Sequence, residues 1–261
     1  MDVQNKPNGE VAMGDMEYDG RLIFYIIKAD ETSYINYIKP LILARELQFP
    51  HVLSCIDTHD AWYYSVHPER YVPALKDQNP ETGEKVVVFE GTACLQYIVD
   101  RFDTEGLWGG RTAFEKGCVL SWTAYQTAGI WVRRPFIFST AFCDDAAWRA
   151  ISPPTNLDCL RYDRATAKYW LYFLRGYSTR KEPVQLPRTI EKLHSNVLKQ
   201  WDVMEKRLAE PGQDYVTLKN RTTFLGVDIK DWPHIQAWSQ RMLDRPAVKE
   251  VMAVAPKYGH T

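Results

Sequence analysis

The first apolar run, Leu22 to Ile27, is unbroken, which predicts a strand buried on both faces. A polar stretch, Lys28 to Tyr34, separates it from Ile38, Leu41 and Ile42, whose three- and four-residue steps predict a helix ending near Leu47. Pro40 has no backbone donor and fits best close to a helix start. The helix is therefore expected to begin beside Asn36, a residue type suited to an N-cap. Val52 to Ile56 reads as a second strand, and Asp57 to Arg70 as an irregular connection. Val72-Pro73 opens a third strand, at a position where no ladder donor is needed. Asn79 to Gly83 carries turn chemistry, and Val86 to Phe89 is a short β-branched and aromatic strand. Leu95, Ile98, Val99 and Phe102 mark the inner face of a further helix. The predicted order is β-α-β, a loop, then β-β-α.

Beyond the glycine-rich stretch Thr104 to Arg111 the periodicity turns helical. Phe114 to Val132 carries Val119, Trp122, Tyr125 and Gly129 at helical spacing. Ser152-Pro153-Pro154 requires a loop within Asp144 to Asp158, and Leu160 to Leu174 reads as an aromatic-rich helix. A long helix is predicted over Arg188 to Glu210, with Val197, Trp201, Met204 and Leu208 on one face. A last helix runs over Trp232 to Val254, started by Pro233, with Ile235, Trp238, Met242 and Leu243 inward. Residues 1–20 are polar and rich in Gly, Asp and Asn, and are expected to form a disordered lead-in. The pattern divides the chain into an α/β domain over 21–104 and an all-α domain over 112–256.

Composition narrows the function classes. With 261 residues, 45% apolar and 25% charged, the chain is long enough for one large or two small buried cores. A net charge of −1 gives no reason to expect nucleic acid or an anionic membrane as partner. No apolar run is long enough to span a bilayer, and no secretion signal is expected at the start. Five scattered cysteines without a close pair suit reduced thiols in a cytoplasmic protein rather than a disulfide framework or a zinc site. The six histidines show no metal spacing, so no metal is expected. Phosphate-cradling glycine loops and a nucleophile elbow are absent from the sequence.

The stretch Glu69 to Asp103 carries a resemblance. Val72-Pro73-Ala74-Leu75, a hairpin, Glu90-Gly91 at a strand end, and a helix closing on Tyr97-Ile98-Val99-Asp100 resemble the second half of the N-terminal domain of glutathione transferases. Ser121 to Val132 resembles the first helix of the all-α domain in the fungal branch of that family, and Arg245-Pro246-Ala247-Val248 its closing signature. The resemblance implies an α/β thioredoxin-like N-terminal domain plus an all-α C-terminal helical domain, with glutathione as cofactor and a homodimer as the working form. Gly91 stands where the family carries serine, with Thr92 beside it. Between Tyr215 and Asp231 the family's additional buried helix is lacking.

The same resemblance assigns the site. The Val72 backbone would pair with the cysteinyl unit of glutathione and Pro73 would be its cis proline, Glu90 and Gly91 would hold the γ-glutamyl end, and His59 lies where relatives contact the glycine end. Asn36-Tyr37-Ile38-Lys39 matches the family's Asn-Gly-x-Lys motif at the asparagine and the lysine. Asn36 would stabilise the thiolate, with Ser33 second. No cysteine falls in this segment, which argues against the thiol-exchanging branch. On the residues alone, Asn36 serves equally well as a plain N-cap, and Glu90 as an acid complementing a helix start. Trp122, Tyr125 and Arg133 share one helix face, which would either line an apolar substrate pocket or pack between helices. The implied reaction is addition of glutathione thiolate to a conjugated, apolar electrophile, such as a polyketide–peptide metabolite. Its outcome is transfer or cis–trans olefin isomerisation. A non-catalytic regulatory protein on the same fold is the rival from another class.

Overall fold

The computed structural model describes residues 8–29, 37–129, 187–210 and 229–260. The chain divides into two compact units, Met1–Glu105 with Leu243–Thr261, and Gly106–Met242. The first unit thus takes in the C-terminal segment as well as the α/β domain.

The first unit is built on a five-stranded sheet. Its elements are β1 (Glu10–Met13), β2 (Leu22–Ile27), α1 (Ile38–Leu47), β3 (His51–Ile56), β4 (Ala74–Gln78), β5 (Lys85–Phe89) and α2 (Gly91–Phe102). The strand order is β1-β3-β2-β4-β5. β1 and β2 flank β3 in parallel, while β2–β4 and β4–β5 are antiparallel. β3 is buried along its whole length and β2 up to its last residue, as unbroken apolar runs require. On one face Ile23, Tyr25, Val52, Ile56, Tyr63, Val66 and Ala74 form a closed cluster. β-α-β followed by β-β-α on a mixed sheet is the thioredoxin-like arrangement, here extended by β1.

That extra strand corrects the expectation of a disordered lead-in over residues 1–20 for its described part, residues 8–20; residues 1–7 lie outside the described residues. The stretch is polar, yet its backbone pairs from Glu10↔Val52 to Met13↔Cys55. Its acids find fixed partners: Arg21 bonds Asp19 and, at 3.0 Å, Glu10, and Asp15 accepts from the Tyr25 hydroxyl at 2.7 Å and from Lys76 at 3.2 Å. Hydropathy cannot register a strand whose stability lies in its ladder and in ion pairs.

The first helix begins at Ile38 with Tyr37 at its cap position and no side-chain capping bond there. Asn36 lies outside the described residues. The hairpin turn follows the sequence: Asn79 receives the N–H of Gly83 at 2.8 Å, and its side chain those of Glu81 and Thr82.

In the second unit, α3 (Ala113–Gly129) is opened by a reciprocal cap. Thr112 Oγ1 accepts the Glu115 N–H at 3.2 Å, and Glu115 returns the bond to the Thr112 N–H at 3.0 Å, the capping-box arrangement. α4 (Pro187–Leu208) buries Val197, Trp201, Met204 and Leu208. Glu205 on α4 accepts the N–H groups of His234 and Ile235, both at 2.9 Å. It thereby caps α5 (Pro233–Asp244), and Trp232 bonds Asp202 at 2.9 Å beside it.

The single closing helix expected over Trp232 to Val254 is two. Arg245 is extended, with φ −62° and ψ 135°, and Pro246 starts α6 (Pro246–Val254). A residue before proline is driven out of the helical region, so the break falls where the sequence places the ring. α6 belongs to the first unit and packs on α1. The chain end continues there: the Ala29 N–H donates to the Tyr258 carbonyl at 2.8 Å, and the Tyr37 and Tyr258 rings lie 6.5 Å apart. The predicted helix at Leu160 to Leu174 and the gap before Asp231 fall largely or wholly outside the described residues. Among the described residues no helix is long and apolar enough to cross a membrane.

Candidate functional site

Two chain turns meet at one end of the β2–β4–β5 edge. The Val72-Pro73 peptide bond is cis and leads directly into β4. At the end of β5, Glu90 takes φ 73° and ψ 129° before α2 begins at Gly91. β4 and β5 pair through Ala74↔Phe89, which sets the two turns side by side. A side chain at Gly91 would meet only Pro73 Cγ, at 4.0 Å from its Cβ. Pro73 is buried, Val72 and Gly91 half-buried, and Glu90 exposed.

A positive φ is costly for a non-glycine residue and persists where the surroundings impose it, most often at ligand sites. Glu90 makes no side-chain capping bond to α2. The first N–H groups of a helix have no partner within it and form a ready anion site. An acid, a half-buried glycine and the N-terminus of α2 therefore converge beside the Val72 backbone.

Two further groups sense Glu90. Lys39 is in the first turn of α1; burial pushes its ammonium pKa down to about 8, and the Glu90 charge works against that shift. His67 is buried against Phe89 and Tyr71, with ring centroids at 4.9 and 5.6 Å. Its Nδ1 accepts the Glu69 N–H at 3.1 Å, so the ring carries its proton on Nε2. Burial lowers its pKa, and Glu90 and Glu69 oppose that. No spacing in the chain marks His67, and Lys39 was legible only as the matching end of the Asn-Tyr-Ile-Lys segment.

The remaining candidates divide. His59 is 82% exposed on the connecting loop, where Asp57 accepts both its N–H and a ring bond at 2.8 Å. Ser33, Asn36 and Arg133 lie outside the described residues. Trp122 and Tyr125, both half-buried on α3, make an edge-to-face pair at 5.6 Å, and the Arg207 guanidinium lies 5.6 Å over Trp122.

Taken together, a thioredoxin-like sheet, a cis Val-Pro and an acid–glycine helix start define the class of glutathione-transferase-fold proteins. No family model matches the chain. It is 61% identical over 261 residues to the glutathione S-transferase aclG of Aspergillus oryzae, covering 94% of this chain and 100% of that protein. It is 47% identical over 248 residues to the trimodular acetylaranotin synthesis protein ataIMG of Aspergillus terreus, covering 89% of this chain and 21% of that larger protein. Among solved structures, the glutathione transferase URE2P8 from Phanerochaete chrysosporium, determined with oxidized glutathione, superposes with a TM-score of 0.61 at 18% identity. That alignment covers 93% of this chain and 98% of the other. The chain belongs to the glutathione S-transferase family, among members from fungal secondary-metabolite clusters.

Proposed function

We propose that this protein binds glutathione at the Val72–Pro73 and Glu90–Gly91 edge and adds it, through its sulfur, to an apolar electrophile of secondary metabolism. The observation that carries the reading is Glu90, a non-glycine residue held at φ 73° beside the Val72 backbone and at the N-terminus of α2. The relatives' names, a transferase and a metabolite-synthesis protein, support it.

Glutathione supplies the nucleophilic sulfur, so no protein nucleophile is needed. The backbone of Val72 holds the cysteinyl unit in extended pairing. Glu90 takes the γ-glutamyl ammonium, and the N–H groups at Gly91 and Thr92 take its carboxylate. His59 approaches the glycine end. Asn36 donates to the sulfur as it loses its proton to solvent, with Ser33 in reserve, because hydrogen-bond donors at a helix start lower a thiol pKa. A carbon–sulfur bond then forms at the electrophilic carbon while the conjugated π bond breaks, and the neighbouring carbon takes a proton. Trp122, Tyr125 and Arg133 supply the apolar wall and a cation for the acceptor. Release of the adduct makes the protein a transferase. Rotation and loss of the thiol would make it a cis–trans isomerase, and the relatives' names favour release. A homodimer in the cytoplasm is the setting that this reading takes over from the family.

Following free thiol alongside a conjugated olefin acceptor tests the reaction. Thiol loss in step with adduct is expected; turnover without thiol loss would replace transfer by isomerisation, and no turnover across activated acceptors would point to a binding protein.

A further inference from the structure

Ala29, just past β2, and Tyr37, at the cap of α1, bound the segment that contains Ser33 and ends on Asn36. Residues 258–260 hold both bounds. The Ala29 N–H donates to the Tyr258 carbonyl at 2.8 Å, and the Ala29 carbonyl accepts from the His260 ring through Nε2. Tyr37 is fully buried; its ring lies 6.5 Å from that of Tyr258, and its hydroxyl donates to the Ile27 carbonyl at 3.1 Å. Between the two clasping residues, Gly259 takes φ 74°, and a Cβ there would lie 2.8 Å from Cys55 Sγ and 3.0 Å from Lys28 Cα. A glycine permits both the conformation and the close approach of the two backbones. α6 packs on α1 and delivers these residues to the end of β2.

Buried backbone groups need partners, and a local turn would satisfy Ala29 as well. What the distant contact adds is a fixed place for both bounds of the segment at once. We infer that Tyr258, Gly259 and His260 are positioning residues for the sulfur chemistry: by fixing Ala29 and Tyr37 they hold Asn36, the residue next to Tyr37, where its amide can donate to the bound sulfur. This rests on the glutathione reading and extends it to residues that touch neither the Val72–Pro73 nor the Glu90–Gly91 turn. A misplacement of about 1 Å at a reacting group costs up to about 100-fold in rate, so a clasp outside the ligand's reach can govern the reaction.

The test compares the full chain with His260→Ala, His260→Gln and Gly259→Ala. The first removes the donor to Ala29, the second keeps an amide donor, and the third forces residue 259 away from Lys28. Two quantities are read: the affinity for S-methylglutathione, which has no thiol to activate, and the pKa of the bound glutathione thiol, from the ultraviolet absorbance of its thiolate. Affinity for S-methylglutathione should stay within about twofold of the parent's in all three variants. The thiol pKa should rise by about one unit in His260→Ala and Gly259→Ala, and His260→Gln should restore most of the difference. Addition to a conjugated olefin at saturating glutathione should slow by about three- to tenfold in step. A thiol pKa that is the same in the parent, His260→Ala and Gly259→Ala, or a loss of S-methylglutathione binding as large as the loss of rate, overturns the positioning role alone. No binding of glutathione by the full chain, or a bound thiol that titrates as in free glutathione, overturns both this role and the reading on which it rests.

Discussion

Arg245 grips Glu46 with two bonds, Nε to Oε1 at 2.6 Å and Nη2 to Oε2 at 2.8 Å. The pair joins the cap of α6 to the last turn of α1, and Arg45 reaches Glu250 at 3.2 Å one turn along. Residues 243–261 thereby belong to the sheet-bearing unit rather than to the helical unit they follow in sequence. A two-pronged, partly shielded pair of this kind is stronger than an ordinary surface salt bridge. Arg245→Met is expected to cost about 1–2 kcal/mol. The urea midpoint and amide exchange over residues 246–258 measure it; an unchanged midpoint with unchanged exchange would show that the apolar face of α6 alone holds it in place.

The three described cysteines should be unreactive in the folded chain. Cys55, Cys94 and Cys118 are buried. Burial and the nearby Glu90 charge push the Cys94 thiol up to about 12, and burial raises that of Cys55. Thiolate is the reacting form, so iodoacetamide at pH 8 should leave Cys55 and Cys94 unmodified until urea is added, as read by mass spectrometry of peptides. Rapid native labelling at Cys94 would mean that α2 opens readily and that the reacting sulfur need not be borrowed.

His51 makes stability depend on pH. Its Nδ1–H donates to the Phe49 carbonyl at 3.0 Å between aromatic neighbours, and the N-terminal strand closes over it: a Cβ at Gly9 would lie 3.2 Å from Nε2. Burial lowers its pKa from 6.5 to about 4, with Arg45 and Arg21 adding to the shift and the Phe49 bond opposing it. Below pH 6.5 the unfolded chain takes up a proton that the folded chain refuses until about pH 4. This contribution is therefore complete above that window and is lost as pH falls through it, at most about 3 kcal/mol. His51→Asn, which keeps a donor toward Phe49, should flatten that part of the stability profile. A variant with the same slope as the parent would assign the dependence elsewhere.

The α/β core was legible because its signals are local. Leu22–Ile27 is apolar throughout, Asn79–Gly83 has the chemistry of its turn, and Leu95 and Ile98 keep helical spacing; each became the element expected. β1 was not, since Glu10 to Met13 owes its place to backbone pairing with β3 and to Arg21. The helix break at Arg245 was written in Pro246 but hidden by continuous periodicity on either side. Val72, Pro73, Glu90 and Gly91 were readable as one motif. The influence of the Glu90 charge on His67 and Lys39 was not readable, because it depends on how a loop and a helix start fold around the sheet.

The central claim is that Glu90, at its positive φ, grips the amino end of glutathione. Titration calorimetry with glutathione on the parent chain and on Glu90→Gln tests it most directly. Saturable binding to the parent is expected, with affinity weaker by about tenfold or more in the variant, whose unfolding midpoint should stay close to the parent's. Equal affinity in the two chains, or no saturable heat from the parent, would contradict it.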